Sequence, residues 1–158
     1  MKNTKILKLL LAAGRSNRFG SQNKLLQLLN GKKIIQRTLE NLLNIFNKKE
    51  ILVVTGYQVK EIELSLKKYE IKTSYNNFYY KGMGTSISHA IKNNELNFDG
   101  VMIIPADMPL VTSFDYKKII KAFEEADTGL VVIDGKLIEK PVMREMYRIV
   151  SIARKIGI

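Results

Sequence analysis

Arg15, Arg18 and Lys24 stand in a run of small residues: Leu11-Ala12-Ala13-Gly14-Arg15-Ser16-Asn17-Arg18-Phe19-Gly20-Ser21-Gln22-Asn23-Lys24-Leu25-Leu26. Two alanines and a glycine where an apolar stretch ends let a ligand approach the backbone closely, with main-chain N–H groups free to face an anion. Guanidinium and ammonium groups brought to the same place suit a polyphosphate. The segment reads as a nucleotide-phosphate loop, against the plainer alternative of a basic surface loop after a strand. Spacing decides which kind. A Walker A loop places four residues between its glycines and follows the lysine with Ser or Thr; here five residues separate Gly14 from Gly20, and Leu25 follows Lys24. A dinucleotide fingerprint requires glycine at position 16, which is Ser16. Both fail.

A carboxylate of matching chemistry occurs far along the chain. Asp107 follows the apolar run Val101-Met102-Ile103-Ile104 and lies between Pro105 and Pro109. This places it at the tip of a strand expected to be central, in a loop stiffened by two prolines. Mg²⁺ needs one or two carboxylates, with water and phosphate oxygens completing its shell. Taken alone, Asp-x-Pro is equally ordinary turn chemistry. The segment Gly82-Met83-Gly84-Thr85-Ser86-Ile87 opens a helix with glycines that permit close backbone approach, free N–H donors and the Ser86 hydroxyl. An N-capped helix without a ligand is the competing reading there. His89, the one histidine, reads as a helix-face residue without a role.

These groups need elements to hold them. Periodicity predicts strands over 6–12, 50–55, 71–76, 100–104 and 129–133, alternating with helices over 33–44, 59–69, 85–93 and 114–126. Repeated strand–helix–strand units imply right-handed crossovers and a mostly parallel sheet covered on both faces. The expected fold class is a single-domain α/β Rossmann-like three-layer sandwich spanning 1–158. In such a sheet ligands bind outside the carboxyl ends of the strands, where the two segments above and Asp107 all fall.

Composition narrows the function further. With no cysteine among 158 residues there is no disulfide framework, thiolate nucleophile or thiolate metal site. The apolar run 6–13 is interrupted by Lys8 and is too short for a signal sequence or membrane span, so a cytoplasmic protein is expected. A net charge of +11 raises nucleic acid as a partner. The lysine pairs at 32–33, 48–49, 67–68 and 117–118 are scattered and lack interleaved aromatics, which argues for solvated helix ends instead. The positive field would still gather small anionic substrates.

The first segment resembles the signature Leu-Ala-Ala-Gly-x-x-x-Arg-Phe/Met-Gly-x-x-x-Lys of the MobA-like nucleoside-triphosphate (NTP) transferases, closest to the molybdenum cofactor cytidylyltransferases. Asn23-Lys24-Leu25-Leu26, Gly82 to Ser86 and Pro105-Ala106-Asp107-Met108-Pro109 are similar to further motifs of that branch, in the same order. The resemblance covers residues 6 to about 112 and implies a nucleotide-diphospho-sugar transferase type of fold. It implies nucleotide binding by Leu11, Ala12, Ala13, Gly14, Arg15, Lys24, Gly82 and Ser86, with Arg18, Lys24 and Asp107 catalytic. Asp107 would be the Mg²⁺ ligand, and Asp134 is the candidate for a second. Ala13, where the guanylyltransferase branch carries glycine, ranks CTP ahead of GTP.

The reaction so implied moves CMP from CTP to a phosphorylated small-molecule acceptor, foremost the molybdopterin cofactor, with release of pyrophosphate. Phosphate attack on the α-phosphorus needs no general base, because a phosphate monoester is already anionic near neutral pH. A client molybdoenzyme is the further partner. The C-terminal third departs from the family: Pro141-Val142 is retained, 151–158 echoes the last motif faintly, and the part that would accept the pterin is short. Two other readings therefore stand beside the first. One is a guanylyl- or sugar-phosphate nucleotidyltransferase; the other is a non-catalytic nucleotide-binding regulatory domain.

Overall fold

A computed structural model describes residues 5–15, 22–93, 98, 100–125, 131–133 and 136–138. The chain divides into two compact units, Met1–Ser113 and Phe114–Ile158. In the first, strand β1 (Ile6–Ala12) is followed by a short hairpin of β2 (Leu28–Leu29) and β3 (Lys32–Lys33). Helix α1 (Ile34–Leu43), β4 (Ile51–Thr55), α2 (Val59–Leu66), β5 (Lys72–Tyr75), α3 (Met83–Lys92) and β6 (Gly100–Pro105) come next. Helix α4 (Ser113–Glu125) leads into the second unit, where β7 (Val131–Ile133) and β8 (Lys136–Ile138) pair antiparallel.

Among the described residues the main sheet has four strands in the order β5-β4-β1-β6, and every pairing in it is parallel. β1 is apolar almost throughout because helices cover it on both sides. Leu9 and Leu10 point to opposite faces and both are fully buried. Leu7, Leu9, Leu52 and Val54 pack with Ile87 and Ala90 of α3 on one face. The register sets Leu10, Val53 and Ile104 on the other. Lys8 also emerges there, its ammonium 4.1 Å from the Phe46 ring centroid just beyond α1 and 2.8 Å from Glu50 Oε2. The crossovers β1 to β4 and β4 to β5 step one way, so right-handedness puts α1 and α2 on this second face; β5 to β6 steps back and puts α3 on the first. The result is the three-layer α/β sandwich.

Each helix carries the apolar stripe its period requires. Ile35, Leu39 and Leu42 of α1 and Ile62 and Leu66 of α2 are buried. Gln36 Nε2 donates to Ser65 O at 2.8 Å and ties the two helices together. None of the helices among the described residues is long and apolar enough to cross a membrane.

The structure departs from expectation in four places. The hairpin β2–β3 was not foreseen, although Asn30-Gly31 has positive φ at both residues (49° and 79°), the pair preferred at a two-residue turn; its two-residue strands are too short to show alternation. The helix expected over 59–69 closes at Leu66 and tightens into a 3₁₀ turn over Lys67–Tyr69, ending on Glu70 at φ 50°. α3 starts two residues before 85, because Gly82 at φ 109° turns the chain and Thr85 Oγ1 donates back to Gly82 O. Among the described residues β6 flanks the sheet, where a central strand was expected.

Candidate functional site

The strand order reverses direction at β1: β4 and β5 lie to one side and β6 to the other. A crevice at the carboxyl ends of two strands that lead away from each other is where this architecture takes ligands. Backbone hydrogen bonds link the loops that leave the strands. Ala106 N donates to Leu11 O (3.0 Å), Tyr57 N to Ala13 O (3.2 Å) and Asn76 N to Thr55 O (2.9 Å). Each loop is thereby joined to its neighbour at its first turn.

A pocket of about 340 Å³ opens on this rim. The first loop contributes Leu11, Ala13, Gly14 and Arg15; the segment after β5 contributes Tyr79, Tyr80, Gly82, Met83 and Ser86; Pro105 closes it from β6. Six of the expected nucleotide-binding residues thus meet in one cavity: Leu11, Ala13, Gly14, Arg15, Gly82 and Ser86. Ala12 does not line it; its side chain is fully buried in the sheet. The Arg15 guanidinium carbon lies 5.6 Å from the Tyr79 ring centroid, within cation–π range. Ser86 is buried, and its hydroxyl oxygen accepts from Asn76 Nδ2 at 3.1 Å. Asn76 is itself buried, and its Oδ1 accepts from Phe78 N, so one side chain shapes both the aromatic turn and the start of α3.

Gly56 packs against two of the lining residues, Tyr79 and Ala13. A Cβ there would stand 2.6 Å from Tyr79 Cβ and 2.8 Å from Ala13 Cβ, so only glycine allows the loops after β1, β4 and β5 to meet.

Lys24 and Asp107 are brought together beside this pocket, Asp107 two residues beyond Pro105. Lys24 Nζ donates to Asp107 Oδ2 at 2.9 Å. Lys24 opens a 3₁₀ turn (Lys24–Leu26) capped by buried Asn23, whose Oδ1 accepts from Leu25 N at 3.0 Å. The Asp107 loop is held from α1: Thr38 Oγ1 donates to Ala106 O (2.9 Å) and Asn41 Nδ2 to Val111 O (2.8 Å). Both partners of the ion pair remain partly exposed, 33% for Lys24 and 44% for Asp107.

Among the described residues no group of three or more His, Cys, Asp or Glu could hold a metal. Asp107 is an oxygen donor already engaged with a positive charge, and one carboxylate suits Mg²⁺ when phosphate and water supply the remaining ligands. The residues fit that ion. Arg18, Asp134, Pro141-Val142 and 151–158 lie outside the described residues. His89 faces Ser74 Oγ at 3.0 Å and Asn93, on the surface of α3 away from the pocket lining.

Sequence reasoning gave Tyr79 and Tyr80 no part in the pocket. It missed Thr38, Asn41 and Asn23 as supports. Two aromatics before a glycine-opened helix were a usable signal. Polar residues on the buried side of a helix, such as Thr38, were another.

The fold and rim define an α/β protein with an anion-suited crevice at its topological switch point. Residues 8–150 match the model of the MobA-like NTP transferase domain, and the chain belongs to this family. It is 34% identical over 125 residues to a probable molybdenum cofactor guanylyltransferase of Thermococcus sibiricus, covering 77% of this chain and 58% of that protein. A second protein of that name, from Aquifex aeolicus, is 28% identical over 93% of this chain and 74% of its own length. The fold is that of the nucleotide-diphospho-sugar transferases. CMP:2-keto-3-deoxy-manno-octonic acid synthetase, solved with CTP, superposes with a TM-score of 0.65 at 17% identity, over 79% of this chain and 49% of that one. The chain therefore spans somewhat more than half the length of the Thermococcus relative.

Proposed function

We propose that this protein is a Mg²⁺-dependent nucleotidyltransferase that moves CMP from CTP to a phosphorylated small molecule, foremost the molybdopterin cofactor, and releases pyrophosphate. The carrying observation is the Lys24–Asp107 pair beside a pocket built from the loops of β1, β5 and β6. A phosphate-binding cation and a metal-binding carboxylate belong side by side where a triphosphate must be neutralised. Family membership supports nucleotidyl transfer, and the names of the relatives support the molybdenum cofactor as acceptor.

The division of labour follows from placement. Gly14 and Arg15 at the pocket mouth, with Arg18 further along the same loop, would hold the triphosphate tail. Lys24 would neutralise the β- and γ-phosphates. Tyr79, Met83 and Ser86 would enclose the base and sugar, with Ala13 and Gly56 setting the depth of the cavity. Asp107 would hold Mg²⁺, which when bound supplies charge stabilisation at the α-phosphate. The acceptor phosphate is its own nucleophile, so positioning and charge neutralisation carry the rate.

A second reading exchanges CTP for GTP, and the word guanylyl in the names of both relatives favours it. Against it stands Ala13, which is among the residues lining the pocket. Titration with the four triphosphates and Mg²⁺, followed by pyrophosphate release with a panel of phosphorylated acceptors, decides between them. Tighter CTP binding and acceptor-dependent release support the first reading. Tighter GTP binding moves the protein to the second. Nucleotide binding without release from any acceptor favours a regulatory domain.

A further inference from the structure

We infer that Thr38 and Asn41 of α1 are positioning residues that set the place of the Asp107 carboxylate by gripping its loop on both sides. The inference rests on the reading of Asp107 as the Mg²⁺ ligand. A mid-helix threonine ordinarily returns its single hydroxyl proton to the carbonyl four residues back. Thr38 Oγ1 is 3.2 Å from Ile34 O but 2.9 Å from Ala106 O, so its shorter contact crosses to the loop, in a fully buried setting. One helical turn on, Asn41 Nδ2 donates to Val111 O at 2.8 Å and reaches Pro109 O at 3.4 Å. Ser113 Oγ returns a bond to Asn41 O at 2.8 Å.

The grip therefore falls immediately before Asp107 and again at 109–113. Between the anchors the loop is short and carries Pro109, leaving the backbone little freedom. The Asp107 side chain is 44% exposed, so packing does not aim it; the held backbone and the Lys24 ion pair do. Both anchors sit on the face of α1 next to its apolar stripe, which ties the carboxylate to the core. A ligand oriented this way loses affinity for its ion when the orienting bond is removed, even though no ligand atom has changed.

The test measures Mn²⁺ affinity of the protein–CTP complex by electron paramagnetic resonance, together with CTP affinity in the absence of metal. Thr38→Val keeps shape and loses the donor; Thr38→Ser keeps the donor; Asn41→Leu removes the second grip at a half-buried position. Thr38→Val and Asn41→Leu are expected to weaken Mn²⁺ binding about tenfold or more, the usual result of losing a support of a metal ligand. Metal-free CTP affinity should stay within about twofold, because it depends on the loop after β1, and Thr38→Ser should restore Mn²⁺ binding. Wild-type Mn²⁺ affinity in both Thr38→Val and Asn41→Leu overturns the inference, as does Thr38→Ser failing alongside Thr38→Val. If Thr38→Val does not fold, Asn41→Leu decides alone. Absence of Mn²⁺–nucleotide binding in the wild type, with CTP and GTP alike, or undiminished Mn²⁺ affinity in Asp107→Asn overturns the underlying reading and the inference together.

Discussion

Lys24 Nζ and Asp107 Oδ2 lie 2.9 Å apart although 83 residues separate them in the chain. The contact draws the loop after β1 and the loop after β6 to one point. As a partly exposed ion pair it contributes only about 0.5 kcal/mol. On the proposed reading, a polyphosphate with a divalent ion would part the two groups readily, one turning to phosphate and the other to metal.

Replacing Lys24 with Ala should weaken triphosphate binding by about tenfold or more, as loss of a charge-assisted contact would. The melting temperature should hardly move, since the side chain faces the rim. Calorimetric titration with CTP and GTP beside a thermal melt checks both halves. Undiminished affinity for both nucleotides would remove the phosphate role.

Asp107→Asn keeps the shape of the side chain and removes its charge. Turnover should fall by at least about two orders of magnitude, the scale on which electrostatic stabilisation of the transition state acts. Metal-free CTP binding should hold or tighten, because a carboxylate no longer repels phosphate or competes for Lys24. Full Mg²⁺-dependent turnover in this variant would reduce Asp107 to a turn residue.

Gly56→Ala probes the close approach of the three loops. Its methyl would meet Tyr79 Cβ at 2.6 Å and Ala13 Cβ at 2.8 Å, atoms fixed to the backbone that cannot swing aside. Overpacking of this kind costs about 1–3 kcal/mol. Urea denaturation should show that loss, and CTP affinity should fall with it as Tyr79 and Ala13 are pushed into the cavity. A variant with unchanged stability and affinity would show that the three loops do not need this closeness.

Glu40 predicts a pH dependence. Burial would raise its carboxyl, but hydrogen bonds from Lys32 and Tyr69 and the charges of Lys32 and Lys68 outweigh that and hold it below the ordinary value of 4.5. A group lowered on folding stabilises above its unfolded value and loses that contribution as pH falls through the folded one. Wild-type stability should therefore decline below about pH 4.5 in part through Glu40. Glu40→Gln should lose about 1 kcal/mol near neutrality and show a shallower decline in acid. Parallel urea melts at several pH values give the comparison; identical slopes would remove Glu40 from the acid response.

The order of strands and helices in the first unit was legible because each element carries a strong period. β1 is apolar but for Lys8 and β4 but for its terminal Thr55, and α1 shows Ile35, Leu39 and Leu42 on one stripe. The motif Leu11 to Lys24 was legible because spacing excluded its rivals. Sequence could not show that Thr38 turns its hydroxyl toward Ala106, since its type and position equally suit a threonine bonded within its own helix. Nor could it show Gly56 touching Tyr79, a contact made only when three loops converge. The hairpin at 28–33 was hidden by its brevity, with Asn30-Gly31 as the one overlooked sign.

The bonds from Ala106 to Leu11, Tyr57 to Ala13 and Asn76 to Thr55 fasten the loops at their roots. Where the Tyr79–Gly56 contact is kept, the chain beyond those roots should tolerate change without disturbing the strand ends. The rim thus works like a row of sockets with interchangeable fittings. Grafting onto Asn76 the 77–82 segment of a relative that keeps tyrosine at position 79 should alter which molecule is accepted while the sheet beneath melts at the same temperature.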